Sequence, residues 1–119
     1  MPRVSVIIPS YNLAGMLPLA IQSVLNQTYS DFEVLVVDDG SKDNTRTVVE
    51  AITDQRVRYL YQENRGLSGA RNSGIANTTG EYLVFLDADD ILYPNKLACQ
   101  VPAIDQQPKI GLVAGGYWL

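Results

Sequence analysis

Tyr82-Leu83-Val84-Phe85-Leu86-Asp87-Ala88-Asp89-Asp90 is the stretch whose reading decides the fold. Five consecutive apolar residues, several β-branched or aromatic, predict a strand covered on both faces. The run then breaks into acid. Carboxylates are costly to bury, so they are expected just past the strand's end. Asp87 and Asp89 are two apart, and in extended backbone their side chains would point the same way. Two hard oxygen donors converging at a strand tip suit Mg²⁺ or Mn²⁺ and a phosphate-bearing ligand. A solvated acidic turn would look the same, so the rest of the chain has to decide.

Working outward, the acidic tip has counterparts upstream. Residues 4–8 are a β-branched run that Pro9 should stop, with Ser10-Tyr11-Asn12 as a loop. Leu13, Leu17, Ala20, Ile21, Val24 and Leu25 recur at helical spacing, with Pro18 placed in the first turn. Residues 32–37 form a second apolar run, and it too ends in acid, Asp38-Asp39-Gly40-Ser41. A helix capped by Ser41 or Asp43 should follow, with Val48, Val49 and Ile52 facing inward. Residues 57–61 read as a short third strand, 63–69 as turn, and 70–77 as a helix.

Beyond the acidic stretch, Pro94 predicts the first turn of a helix reaching about Gln106. Pro108 should end that helix, and residues 110–113 should open a last strand. Strands alternating with helices give an α/β fold with a mostly parallel sheet flanked by helices and right-handed connections. In such sheets the C-terminal strand tips share one edge, where ligands bind. Three polar tips, at Pro9 to Asn12, Asp38 to Ser41 and Asp87 to Asp89, converge there.

Composition removes other chemistries. The 119 residues suffice for one domain or part of one, and 46% hydrophobic with 18% charged residues can fill a core. Net charge is −4 with no large basic run, which argues against a nucleic-acid partner. The chain has no histidine, so no Ser-His-Asp triad, imidazole base or His-ligated zinc can be built from it. Cys99 is the single cysteine, which fits a reducing compartment. No signal peptide and no apolar run near the ~20 residues of a membrane span are visible, so a cytoplasmic location is expected.

Individual residues admit two readings each. An ionised Asp39 only accepts hydrogen bonds, which suits the imide N–H of uracil or thymine or guanine's Watson–Crick edge; it could equally cap a helix. Tyr11 could stack on a base or pack against the fold. Arg71 and Asn72, at or near a helix start, could hold an anion, or Arg71 could pair with a surface acid. The dinucleotide Gly-x-Gly-x-x-Gly spacing and the phosphate-loop Gly-Lys-Ser/Thr are both absent.

Five blocks in order then resemble the N-terminal half of family-2 glycosyltransferases, with the Rossmann-like GT-A fold. They are Val4-Ser5-Val6-Ile7-Ile8-Pro9-Ser10-Tyr11-Asn12, Ser23-Val24-Leu25-Asn26-Gln27-Thr28, Val36-Val37-Asp38-Asp39-Gly40-Ser41-Lys42-Asp43, Asn64-Arg65-Gly66-Leu67-Ser68-Gly69-Ala70-Arg71-Asn72-Ser73-Gly74 and Phe85-Leu86-Asp87-Ala88-Asp89-Asp90. The resemblance implies that residues 1–119 are the nucleotide-sugar-binding portion of the domain, ending before its acceptor half. It implies a donor, UDP-linked, held by Pro9, Tyr11, Asn12, Asp39, Arg71, Asp87 and Ala88, with Asp39 on the base. Mn²⁺ or Mg²⁺ would be bound by Asp89 and Asp87.

The transfer implied is inverting, to an acceptor hydroxyl on a glycan, lipid or protein, in polysaccharide or cell-wall biosynthesis. The family's base lies in segments beyond Leu119, so no catalytic base is carried over, and Asp90 has no such role in the family pattern. By itself the chain is expected to hold donor weakly and to transfer no sugar. An apolar edge left by the missing half leaves room for a homodimer. Two alternatives stand beside this reading. One is a non-catalytic nucleotide-binding module. The other is a phosphatase of the haloacid-dehalogenase type, for which too few residues follow Asp89.

Overall fold

The computed structural model describes residues 2–106. Four strands and four helices alternate: β1 (Val4–Ser10), α1 (Leu17–Leu25), β2 (Phe32–Asp39), α2 (Thr45–Glu50), β3 (Val57–Gln62), α3 (Gly66–Ala76), β4 (Tyr82–Phe85) and α4 (Lys96–Gln106). The sheet runs β3-β2-β1-β4, and every pairing is parallel. The α/β architecture expected from the alternation is the one observed. Residues 110–113, expected as a further strand, and Pro108, expected to end α4, lie outside the described residues.

Parity along the two central strands sorts their side chains into two cores. Val4, Val6 and Ile8 of β1 join Val34 and Val36 of β2 under α1, α2 and α4, where Leu17, Ile21, Val24, Val49, Leu97 and Val101 meet them. Ile7, Leu35 and Val37 face the other way, onto Ala70 of α3. Strands covered on both faces become continuous apolar runs, which is why β1 and β2 are legible as strands.

α3 lies close to the sheet because Gly74 offers no side chain. A Cβ there would stand 2.4 Å from Cγ2 of Ile7, which is fully buried. Alanine favours a helix over glycine by about 1 kcal/mol, but overpacking costs about 1–3 kcal/mol. Since the contact is far inside van der Waals range, Gly74→Ala is expected to destabilise by about 1–2 kcal/mol, read as a lower urea midpoint at unchanged slope. A raised midpoint would contradict the packing argument.

Several expectations need correction. β1 does not stop at Pro9 but continues through it to Ser10. Alternate residues of a parallel strand bond to opposite neighbours. The carbonyls of Arg3 and Ile7 accept from Tyr82 and Leu86, so Pro9, of the same parity, faces the side where β4 has already ended. No ladder bond is lost there. β4 is not covered on both faces among the described residues: Leu83 and Phe85 are 41% and 43% exposed, while Tyr82 and Val84 pack on the larger core.

Helix boundaries also move. α3 starts four residues earlier than expected, at Gly66 (φ 79°), with the Asn64 side chain accepting the Gly66 N–H. Glycine and serine there read as turn, yet the left-handed backbone at Gly66 steers the chain into the helix. α2 begins after Asn44, and neither Ser41 nor Asp43 occupies the cap position. Asp43 still serves the helix start, accepting the Thr45 N–H at 3.1 Å. Pro94 precedes α4 rather than entering its first turn, and its carbonyl accepts from the Thr28 N–H.

Candidate functional site

The three polar tips expected to converge do so. They enclose an open cleft of about 300 Å³ on the C-terminal edge of the sheet. β1 contributes Pro9 and Ser10, with Tyr11 just past its end; β2 contributes Asp39; the turn after β4 contributes Asp87, Ala88 and Asp89. The entry to α3 closes one side with Asn64, Gly66 and Leu67, which sequence reasoning passed over as turn. Tyr11 is 47% exposed at the rim and Leu67 is 51% exposed, so two apolar surfaces stand free beside the acids.

Asp38 and Asp39 are adjacent but differ in what they can offer. Asp38 is committed internally, accepting the Ser41 N–H and the Tyr59 hydroxyl. Burial first, and then the Asp38 carboxylate, push the Tyr59 phenol well above its ordinary range. Asp39 lies on the opposite face of β2. Its Oδ1 accepts the Arg65 N–H at 2.8 Å and the Gln62 amide at 2.9 Å. Its Oδ2 has no donor among the described residues and is not sealed from solvent. Gly40, at φ 87°, lets this tip lie against the α3 entry: a Cβ would meet the Asn64 nitrogen at 2.9 Å.

The acidic stretch is arranged differently from the expectation of extended backbone. Residues 87–90 form a turn closed by the Asp90 N–H donating to the Asp87 carbonyl at 3.0 Å. The turn draws carboxylate oxygens of Asp87, Asp89 and Asp90 within 4.8 Å of one another, all three side chains exposed. Loss of some surrounding water, followed by the charges of Asp89 and Asp87, raises the Asp90 carboxyl above its ordinary value. Like charges held this close favour a bound cation, and an all-oxygen donor set fits Mg²⁺ or Mn²⁺. Ala88 is buried beneath the turn.

Arg71 and Asn12 sit apart from the cleft lining. Because α3 starts early, Arg71 lies in its second turn rather than at its start. Its guanidinium reaches towards Asp87 (3.8 Å) and lies 6.0 Å from the Phe85 ring centroid. Asn12 takes a left-handed backbone (φ 53°) and clamps two tips together. Its N–H donates to Ser41 Oγ at 2.9 Å, and its Oδ1 accepts the Lys42 N–H at 2.8 Å.

The fold agrees with comparisons to known proteins. The family model for glycosyl transferase family 2 matches residues 5–118, and the chain belongs to that family. It is 46% identical over 99 residues to the Escherichia coli UDP-Glc:alpha-D-GlcNAc-diphosphoundecaprenol beta-1,3-glucosyltransferase WfgD, covering 82% of this chain and 39% of that protein. The S. aureus TarS 1-349 structure in complex with UDP-GlcNAc superposes with a TM-score of 0.83 at 30% identity, covering 91% of this chain and 32% of that one. The mannosyltransferase PcManGT from Pyrobaculum calidifontis, in complex with GDP-Man and Mn²⁺, gives a TM-score of 0.73 at 33% identity, covering 82% and 30%. The sheet and its flanking helices are thus the Rossmann-like part of a GT-A fold. The chain spans 39% of the length of WfgD and 17% of that of a Rickettsia bellii glycosyltransferase to which it is 43% identical. No helix among the described residues is long and apolar enough to cross a membrane.

Proposed function

We propose that this chain is the donor-binding portion of an inverting, metal-dependent glycosyltransferase that moves a sugar from a UDP-sugar to an acceptor hydroxyl. The observation that carries the reading is the pairing, across one cleft, of a free carboxylate oxygen on Asp39 with the carboxylate turn at residues 87–90. Asp39 would accept the imide N–H of the base, with Tyr11 and Pro9 against the base and ribose. An ionised carboxylate offers adenine's Watson–Crick edge no matching donor–acceptor pattern, which disfavours adenosine nucleotides. Asp89 and Asp87, with Asp90 beside them, would hold Mn²⁺ or Mg²⁺, which when bound offsets the charge on the departing diphosphate. Arg71, beside Asp87, adds positive charge on the same side. Asn12 contributes by fixing the β1 and β2 tips relative to each other. We assign no catalytic base within this chain.

Guanine could also donate to Asp39, and one structural neighbour carries GDP-Man. UDP is favoured because the neighbour of higher TM-score carries UDP-GlcNAc, and the E. coli relative is named for UDP-Glc. Calorimetric titration with UDP, GDP, dTDP and ADP in Mn²⁺ tests this. UDP should bind tightest and lose affinity when the metal is chelated. Tightest binding by ADP, or binding indifferent to chelation, would overturn the assignment.

A further inference from the structure

Asp39 and Gln62 are register partners at the ends of β2 and β3. Directly opposed residues of paired strands share a face, so the Gln62 side chain lies beside the Asp39 carboxylate. Its Nε2 donates to Oδ1 at 2.9 Å, and the Arg65 N–H donates to the same oxygen at 2.8 Å. A carboxylate is otherwise free to turn about its last torsion, where the rotamer wells are broad. Two donors on one oxygen fix the plane of the group and leave Oδ2 as the oxygen open to the cleft. Gln62 itself does not line the cleft.

Few residues could do this. Glutamate would set like charges in contact, asparagine is one methylene short, and leucine has no donor. We infer that Gln62 is a positioning residue for base selection, holding the Asp39 carboxylate so that Oδ2 meets the imide N–H of the base. This rests on the reading of Asp39 as the base acceptor.

The test compares UDP with inorganic pyrophosphate, a base-free probe, each titrated in Mn²⁺ by calorimetry. Losing one charge-assisted hydrogen bond to Asp39 should make Gln62→Leu bind UDP about tenfold more weakly, with pyrophosphate unchanged. A purely structural role would weaken both probes together. Gln62→Glu supplies a second readout. It should be weak at neutral pH and regain UDP affinity towards about pH 5, where one of two contacting carboxyls takes up a proton and the introduced group can donate again. Equal losses for both probes in Gln62→Leu, or no loss for either, would overturn the inference, as would a flat pH profile in Gln62→Glu. Asp39→Asn separates the two levels. If it leaves the preference for UDP over pyrophosphate intact, the reading of Asp39 fails; if it abolishes that preference while Gln62→Leu does not, only the role of Gln62 falls.

Discussion

Asp89→Asn is expected to weaken UDP binding in Mn²⁺ by about a hundredfold and to make the residual binding insensitive to chelation. A neutral amide would replace a carboxylate proposed as a hard ligand, in a turn whose carboxylates lie within 4.8 Å of one another. The other end of the cleft should respond differently. In Asp39→Asn, the Gln62 amide and the Arg65 N–H still require an acceptor, so they hold the amide oxygen inward. The NH₂ group then takes the outer position and presents a donor to the donor of the base. UDP affinity should fall while the response to chelation persists. Calorimetry of both variants with and without chelator checks the division. If the two behave alike, the assignment of metal to one tip and base to the other is wrong.

The largest expected effect on stability lies at the far end of the sheet from the cleft. Glu33 is 8% exposed inside the apolar run of β2. Its Oε2 accepts from the Ser5 hydroxyl at 2.8 Å and the Thr79 N–H at 3.2 Å, and its Oε1 accepts from Arg58 at 2.6 Å. Ser5 Oγ in turn accepts the Gly80 N–H, so one carboxylate ties the loop between α3 and β4 to two strands. Glu33→Ala leaves a hydroxyl and a main-chain donor without their acceptor, and leaves the half-exposed Arg58 guanidinium only the Asn77 carbonyl. It should cost about 3 kcal/mol, and Glu33→Gln, which keeps one acceptor, about 1 kcal/mol.

Burial of Glu33 works against its ionisation, but hydrogen bonds from Ser5, Thr79 and Arg58 outweigh it and hold the carboxyl below its ordinary value of 4.5. A depressed folded-state value means stability that is full above the unfolded value and lost as pH falls through the folded one. Wild-type chain should therefore lose stability below about pH 4.5, and Glu33→Gln should lack that part of the slope. Urea denaturation between about pH 6 and pH 3 measures both. Parallel pH profiles would remove Glu33 from the account.

Much of this arrangement is legible in the sequence because it depends on patterns local to a few residues. Apolar runs ending in Pro9 to Asn12, Asp38 to Ser41 and Asp87 to Asp89 reveal both the parallel sheet and the edge on which the cleft opens. What the sequence hides depends on partners distant along the chain. Glu33 sits unremarked in an apolar run, because its hydrogen-bond donors come from residues 5, 58 and 79. Gln62 looks like a strand end until the register sets it beside Asp39. Gly66 and Gly69 disguise a helix as a turn, and that displaces Arg71 by a full turn from the place its spacing suggested. Asp90 joins Asp87 and Asp89 only because the backbone bends, which alternation along a strand cannot foresee.

Pro9 has one more consequence. After Leu86 bonds to Ile7, the next donor that β1 would extend towards its neighbour belongs to residue 9, and proline has none. The zipper between the two strands therefore lacks its next rung. Whatever leaves β4 is let go at that point, and the segment carrying Asp87, Asp89 and Asp90 is free to fold back on itself instead of lengthening the sheet. A gap opens where a ladder would have continued, and Pro9 lines it. The mouth of the cleft is thus made by a missing hydrogen atom as much as by any group that is present.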